Sequence, residues 1–309
     1  GHTAPSAHTL GATGPRTDAD TAYPPTACSM ALVPRCAMPD ARALSMARTW
    51  LDVLVRIMAD DARRAAMVAD LVHPKWLLML VRPGLARDDV PLVLEFVGML
   101  LSTSPSLAQT WTRLGGFRVL ERTLPPHWDV PCVLPWMWTL LLGPHAPKSS
   151  LYHTFAHATA VAHPQALRVI VQCMAHGMMA CRTAPAKRRA SLPHIPAPPP
   201  GLTALEDSVR LLVVHSHNED VRALLMLAPT LVAVLRATAP CFVDEPCGPR
   251  VCALCDALVD MLAACIAELV LSSHTLTLLH NLHAVAMPTS DPLIQSRLCT
   301  AVYIPLLAR

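Results

Sequence analysis

The sequence is poor in the residues that build β-sheets. Only 4% of its 309 residues are aromatic, isoleucine occurs six times and glycine 11 times. A β-sandwich or barrel needs β-branched and aromatic residues in alternation, and glycine in its turns. Hydrophobic residues nevertheless make up 53% of the chain, which is ample for a core and excludes wholesale disorder. With 30 prolines as helix breaks, the sequence predicts an all-α fold with no sheet.

An excess of one charge is also lacking. Lys and Arg number 25 against 22 Asp and Glu, a net charge of +3. Nucleic-acid-binding domains concentrate a strong basic excess on one face, so we expect no nucleic-acid partner.

Eleven cysteines are too few for a disulfide scaffold in a chain of this length. Several lie in apolar helical patterns, which is typical of buried thiols in a reducing compartment. These are Cys132, Cys173, Cys265 and Cys299.

Long uncharged apolar runs are missing too. The most apolar stretch, 251–271, contains Asp256, Asp260 and Glu268, which share one narrow stripe of a helix. An Asp at the centre of a spanning helix costs ~2.5–3.5 kcal/mol, so we expect a helix buried on most faces with one polar edge.

The chain begins with Gly1 rather than Met, as a piece of a longer protein would. A secretory signal would show a basic start followed by an apolar run. This piece contains no such pattern, so we expect no secretory signal in it.

The pattern along the chain divides it into four parts. Residues 1–39 have no sustained period and are predicted to be disordered. Residues 40–182 and 202–309 repeat apolar positions at spacings of three and four, which predicts two runs of amphipathic helices. Between them, 183–201 is rich in proline and carries a basic cluster, so we expect an exposed loop. Without a clean repeat of fixed period, the helices favour an irregular armadillo- or HEAT-like α-solenoid.

Catalytic signatures are absent from the sequence. It contains no GxGxxG, Walker A, GxSxG or HExxH motif. It also lacks a convergent set of acids and bases, so an enzyme with an all-α active site is the less favoured alternative. The sequence therefore predicts a non-enzymatic protein without a cofactor.

Two groups of residues have metal-ligand chemistry. His153 and His157 are four apart, but no third ligand stands at a helical spacing from them. The other group consists of Cys241, Cys247, Cys252 and Cys255. It contains one CxxC where common zinc modules pair two. We expect separate thiols and histidines rather than a zinc site.

Two further segments are candidate contact surfaces. Trp128, Trp136 and Trp138 lie among prolines and could form a docking surface, although core packing is favoured because large rings are usually buried.

Lys187, Arg188 and Arg189 precede Ser191 in the pattern of a basophilic kinase site. This basic cluster is a candidate contact for an anionic membrane or acidic partner, and Ser191 a candidate phosphosite. The alternative is a solvated cluster that keeps the loop soluble.

One segment resembles a known family. Its elements come in a fixed order. An apolar helix is followed by a GGF turn, then by a Leu-Pro-x-x-Trp step, and finally by a proline-started apolar helix that ends in LLxG. They occupy Leu92–Leu101, Gly115–Leu120, Leu124–Trp128 and Pro131–Gly143. This order is similar to the BEACH-domain proteins, specifically the fungal beige-like and autophagy-linked FYVE branch, in the helical region upstream of their PH-BEACH module. The resemblance covers about a sixth of the chain.

The resemblance implies a scaffold. In that family the region is an armadillo-like helical scaffold used in vesicle trafficking, lysosomal membrane dynamics and autophagy. It would imply protein partners, a cytoplasmic location, and peripheral association with endosomal or autophagic membranes through the full-length protein. No PH, BEACH, WD40 or FYVE module occurs in these 309 residues. The alternative is a free-standing armadillo-like adaptor that binds extended peptides, although the sequence lacks the periodic Asn and Trp ladder of such grooves.

Overall fold

Helices form most of the part of the chain that the structure describes. The computed structural model describes residues 41–82, 84–188, 201–238 and 249–269. The chain divides into two units after Leu44, and the packing described lies within the unit that begins at Ser45. No residue in the described ranges belongs to a strand, which confirms the predicted all-α class.

The described ranges contain thirteen α-helices and two short 3-10 turns. The helices are α1 (Ala41–Asp60), α2 (Ala62–Leu71), α3 (Pro74–Leu80), α4 (Val90–Thr103), α5 (Pro105–Arg113), α6 (Gly116–Thr123), α7 (Val133–Leu142), α8 (Leu151–Phe155), α9 (Ala166–Arg188), α10 (Leu202–His215), α11 (Glu219–Leu225), α12 (Ala228–Thr238) and α13 (Pro249–Leu269). The 3-10 turns are Arg87–Asp89 and Pro125–His127.

Short polar side chains and prolines begin several of these helices. The Asp61 carboxylate accepts a hydrogen bond from the backbone N–H of Arg63 at 2.8 Å and so caps α2. Ser104 caps α5 in the same manner, with Pro105 at the first helical position. Gly115 separates α5 from α6 in a left-handed conformation, with φ of 83°, which glycine adopts without steric cost.

Each central helix contacts several others in the part of the chain that the structure describes. Helix α4 contacts α2 and α7, and α9 contacts α7 and α12. Helix α13 contacts α10 and α12. The buried core runs through these helices, and α4, α7 and the first part of α9 are apolar on most of their circumference. Helix α13 instead has a polar edge, because Asp256 and Asp260 are exposed while Leu258 and Leu262 are buried.

Two predicted helix boundaries differ from the structure. The apolar spacing of residues 149–161 predicts a helix over about that range, but α8 ends at Phe155. The reason is tertiary: the backbone N–H of Ala162 donates to the carbonyl of Leu141 at 2.7 Å, which holds this segment against the end of α7.

The predicted loop also begins later than expected. Helix α9 continues to Arg188, six residues into the range 183–201. Extending an existing helix needs no new nucleus, and Ala, Lys and Arg favour the helical state on both sides of Pro185. Residues 189–200 lie outside the described residues.

No single helix in the described ranges is long and apolar enough to cross a membrane. Two pairs of helices reach that length and composition only together, and they are bent by 115° and 79°.

Candidate functional site

The three tryptophans singled out in the sequence have different environments. Trp138 is fully buried in α7, and Trp128 is 6% exposed just before that helix. Trp136 is partly exposed on the opposite side of α7 and lies against Gly98 of α4. A Cβ at position 98 would lie 2.6 Å from the Trp136 ring, so only glycine permits this approach of the two helices. The segment is therefore mainly core, and Trp136 alone offers part of its ring to solvent.

Trp128 sits at a junction closed by glycines and an ion pair. A Cβ at Gly177 of α9 would lie 2.8 Å from its ring, and a Cβ at Gly201 would lie 3.1 Å from the ring and 2.8 Å from Cα of Asp129. The neighbouring Asp129 accepts two hydrogen bonds from the Arg87 guanidinium, at 2.8 and 2.7 Å. The hydrogen bond from Arg87 lowers the pKa of Asp129 below its ordinary value. This bidentate pair joins segments 42 residues apart.

Trp138 belongs to a buried polar network between α7, α8 and α10. Its indole N–H donates to the Ser208 hydroxyl at 3.1 Å, and its ring lies 5.9 Å from the imidazole of His215. Nε2 of His215 is 3.0 Å from the carbonyl oxygen of Phe155. A carbonyl only accepts, so Nε2 carries the proton. Burial lowers the pKa of His215, which keeps the ring neutral. The network holds three helices together.

The structure describes four of the six candidate metal ligands. His153 lies in α8 and His157 beyond its end, and both are exposed. Cys252 and Cys255 lie in the first turns of α13, whereas Cys241 and Cys247 lie outside the described residues. Within the described ranges, no group of three or more His, Cys, Asp or Glu side chains is placed to hold a metal ion.

The described thiols of the apolar patterns are packed inside or against the core. Cys173 and Cys265 are buried, and burial raises the pKa of both. Cys132 is partly buried at the start of α7, where burial raises its pKa to about 11. Thiols with raised pKa values are poor nucleophiles at neutral pH. Cys299 lies outside the described residues.

The basic cluster falls at the edge of the described residues. Lys187 and Arg188 form the end of α9. Arg189 and Ser191 lie outside the described residues, so the candidate phosphosite and membrane contact stay predictions.

A group of exposed large apolar side chains lies on the first three helices, and the sequence analysis missed it. We call it the outer face. It consists of Met46, Trp50, Val53 and Ile57 of α1, Met67 and Leu71 of α2, and Trp76 and Met79 of α3. These are eight of the eleven large apolar side chains that are exposed in the described ranges, so exposure is concentrated at this end. Trp50 is 64% exposed and Leu71 83%.

Helix α1 has two separate apolar sides. Leu51, Val55 and Met58 are buried in the core. The members of the outer face on α1 follow one another at spacings of four, three and four, which is the a/d seam of a coiled coil. The sequence did contain a signal for this second apolar side. Its residues repeat at heptad spacing and lie about a third of a turn away from the buried side of α1.

A groove lies between α2, α4 and α7. It has a volume of about 770 Å³ and is lined mainly by apolar groups, among them Met58, Met99 and Trp136. The exposed Ala62 stands at its edge, at the start of α2. A groove of this size is in the range of small-ligand and peptide sites.

Comparison with protein-family models, curated proteins and solved structures finds no match to this chain.

Proposed function

We propose that this chain is a non-enzymatic helical scaffold segment of a BEACH-type protein, acting in vesicle trafficking, lysosomal membrane dynamics or autophagy through protein–protein contacts. The family assignment rests on the resemblance of residues 91–143. The outer face of α1–α3 carries the scaffold function.

The order of helix packing supports a solenoid of the irregular armadillo kind. In such a fold each layer is covered mainly by its neighbours in the chain, and the core extends along the stack. The succession of contacts from α2 to α4, α7, α9 and α12 follows this scheme. The first layer of a stack then needs either a polar cap or a further partner.

The outer face fits a partner rather than a polar cap. Eight of the eleven exposed large apolar side chains in the described ranges lie on these three helices, and Trp and Met are enriched in interface cores. Trp50 and Trp76 are of the residue type that most often supplies interface affinity. The heptad spacing of α1 fits a second amphipathic helix, packed at about 20° as in coiled coils. The chemistry of the face is therefore that of a helical partner or a further helical layer.

The groove favours the second candidate function, a peptide-binding adaptor. Its apolar lining and its volume of about 770 Å³ could receive an extended segment. The two functions use different residues, so variants of the two surfaces separate them.

Proximity labelling tests the proposal in cells. The full chain, fused to a biotin ligase, is expressed unmodified, with Trp50→Ser and Trp76→Ser together, and with Leu114→Ser. Leu114 is 41% exposed and lies outside the outer face, so it is the matched control. A fourth chain carries Ala62→Trp, which fills the groove from an exposed position.

We expect labelled proteins of endosomal, lysosomal or autophagic membranes, which fall to background with the double variant and persist with Leu114→Ser and Ala62→Trp. Loss with Ala62→Trp alone would favour the adaptor. A labelled set without such proteins, or one unchanged by all three variants, would overturn the trafficking scaffold. Circular dichroism should show the same helix content for each variant, because the substituted residues are exposed.

A further inference from the structure

A second cavity lies between α5, α6, α9 and the α11–α12 turn, apart from the outer face and the groove. Its volume is about 390 Å³, within the range of small-ligand sites. Apolar residues line one part of it, namely Phe117, Leu167, Leu224 and Leu227. Arg118, Glu121, Gln165 and Arg168 line another part. An apolar surface with a few convergent polar groups is the usual build of a binding site.

The charged groups of this cavity leave one cation without a partner. Nε of Arg168 lies 2.7 Å from a carboxylate oxygen of Glu121, and Glu121 is only 14% exposed. Arg118 forms no ion pair with any residue that the structure describes and is exposed to solvent beside the cavity. Two guanidinium groups and one carboxylate therefore give the cavity a net positive charge of one. This balance suits a monoanion better than a dianionic phosphate.

One polar atom in the cavity is buried without a hydrogen-bond partner among the described residues. The N–H of Arg168 Nε is not directed at Glu121, and this buried atom has no hydrogen-bond acceptor among the described residues. Thr230 is 4% exposed and lines the cavity. Buried donors in native structures are nearly always paired, so an unpaired one next to a cavity indicates an absent acceptor.

Helix geometry adds to the attraction for an anion. The first turns of α6, α9 and α12 all contribute to the lining, through Arg118, Arg168 and Thr230. The N-terminus of a helix carries about half a positive charge, and this favours anions in the first turn.

We propose that this cavity binds the C-terminal residue of a peptide partner. The peptide carboxylate lies between Arg118 and Arg168, and its terminal side chain lies on the apolar surface around Phe117. The last backbone N–H donates to Glu121, a contact that a simple fatty acid cannot make. Capture of a C-terminal carboxylate is a recurring mode of peptide recognition. It deepens the proposed scaffold function, since it names a partner chemistry, but it uses none of the outer-face residues.

Pools of immobilised hexapeptides test this site. The last three positions are randomised, and one pool ends in a free acid and the other in an amide. The probe is the full, fluorescently labelled chain, either unmodified or carrying Arg118→Gln. Arg122→Gln is the matched control, because Arg122 is exposed on the same helix but does not line the cavity. Octanoate is added as a competitor in a separate arm.

We expect the free-acid pool to retain the chain at least about tenfold better than the amide pool, as for loss of a charge-assisted hydrogen bond. Arg118→Gln should lower retention by a similar factor, and Arg122→Gln should leave it unchanged. Equal retention by the two pools, no retention by either, or full retention of Arg118→Gln would overturn the site. Displacement by octanoate with no peptide retention would also overturn it, in favour of a small-acid ligand. Because the outer face is intact in every arm, failure here leaves the trafficking scaffold standing.

Discussion

The indole N–H of Trp138 donates to the Ser208 hydroxyl at 3.1 Å, and this bond joins α7 to α10 across 70 residues of sequence. Both residues are fully buried. A buried donor that loses its acceptor has no water to replace it, so the bond fixes the two helices in one register.

Ser208→Ala should lower the free energy of unfolding by about 1–3 kcal/mol, because it leaves the indole N–H of Trp138 unpaired. Urea denaturation followed by circular dichroism measures the change. The double variant Trp138→Phe, Ser208→Ala removes donor and acceptor together. Its loss should be smaller than the sum of the two single losses. Additive losses would show that the hydrogen bond contributes nothing to stability.

Gly201→Ala should destabilise the protein more than Gly84→Ala. Both glycines have φ of 89°, where a side chain costs roughly 1–2 kcal/mol. At position 84 a Cβ would meet nothing within 4 Å, whereas at position 201 it would lie 2.8 Å from Cα of Asp129. Overpacking against backbone adds about 1–3 kcal/mol. Urea denaturation of both variants gives the comparison, and equal losses would mean that the junction at Trp128 and Asp129 is not tightly packed.

Stability should fall as the pH is lowered through about 6.5, the pKa of an unfolded histidine. Burial lowers the pKa of His127, His163 and His215, so protonation favours the unfolded chain. Their contribution is complete above the unfolded pKa and is lost below it. Thermal melting between pH 7.5 and 5.5 measures the effect.

The matched variants are His215→Gln and His176→Gln. His215→Gln should flatten the dependence of the melting temperature on pH, and the exposed His176→Gln should not change it. A melting temperature that rises on acidification, or an unchanged slope in His215→Gln, would contradict the account of the buried imidazole.

The sequence predicted most helices correctly because helix caps and apolar spacing depend on residues that are close together in the chain. Asp61 and Ser104 are capping residues followed by apolar periodicity, and the structure uses both as caps. The early end of α8 depends on the bond from Ala162 to Leu141, which no local pattern encodes. The partner of Trp138 was equally inaccessible, since nothing near Trp138 in the sequence points to Ser208.

The outer face was missed for a different reason. The spacing of Leu51, Val55 and Met58 satisfied the expectation of one apolar side for α1, and that side is indeed buried. Burial is a property of the surrounding helices, so sequence periodicity cannot separate a core stripe from an unpartnered one. The cavity beside Arg118 was missed because it unites residues from four separate segments.

Site-specific photo-crosslinking tests the central claim, that the outer face is a protein-binding surface, most directly. A photo-reactive benzoylphenylalanine replaces Trp50, Trp76 or the control Leu114 in the full chain, and cells expressing each version are irradiated. The account predicts one discrete crosslinked product shared by positions 50 and 76, containing a helical segment of a trafficking or autophagy protein, and no product at position 114. Absence of a product at both tryptophan positions, or the same mixture of products at all three, would contradict it.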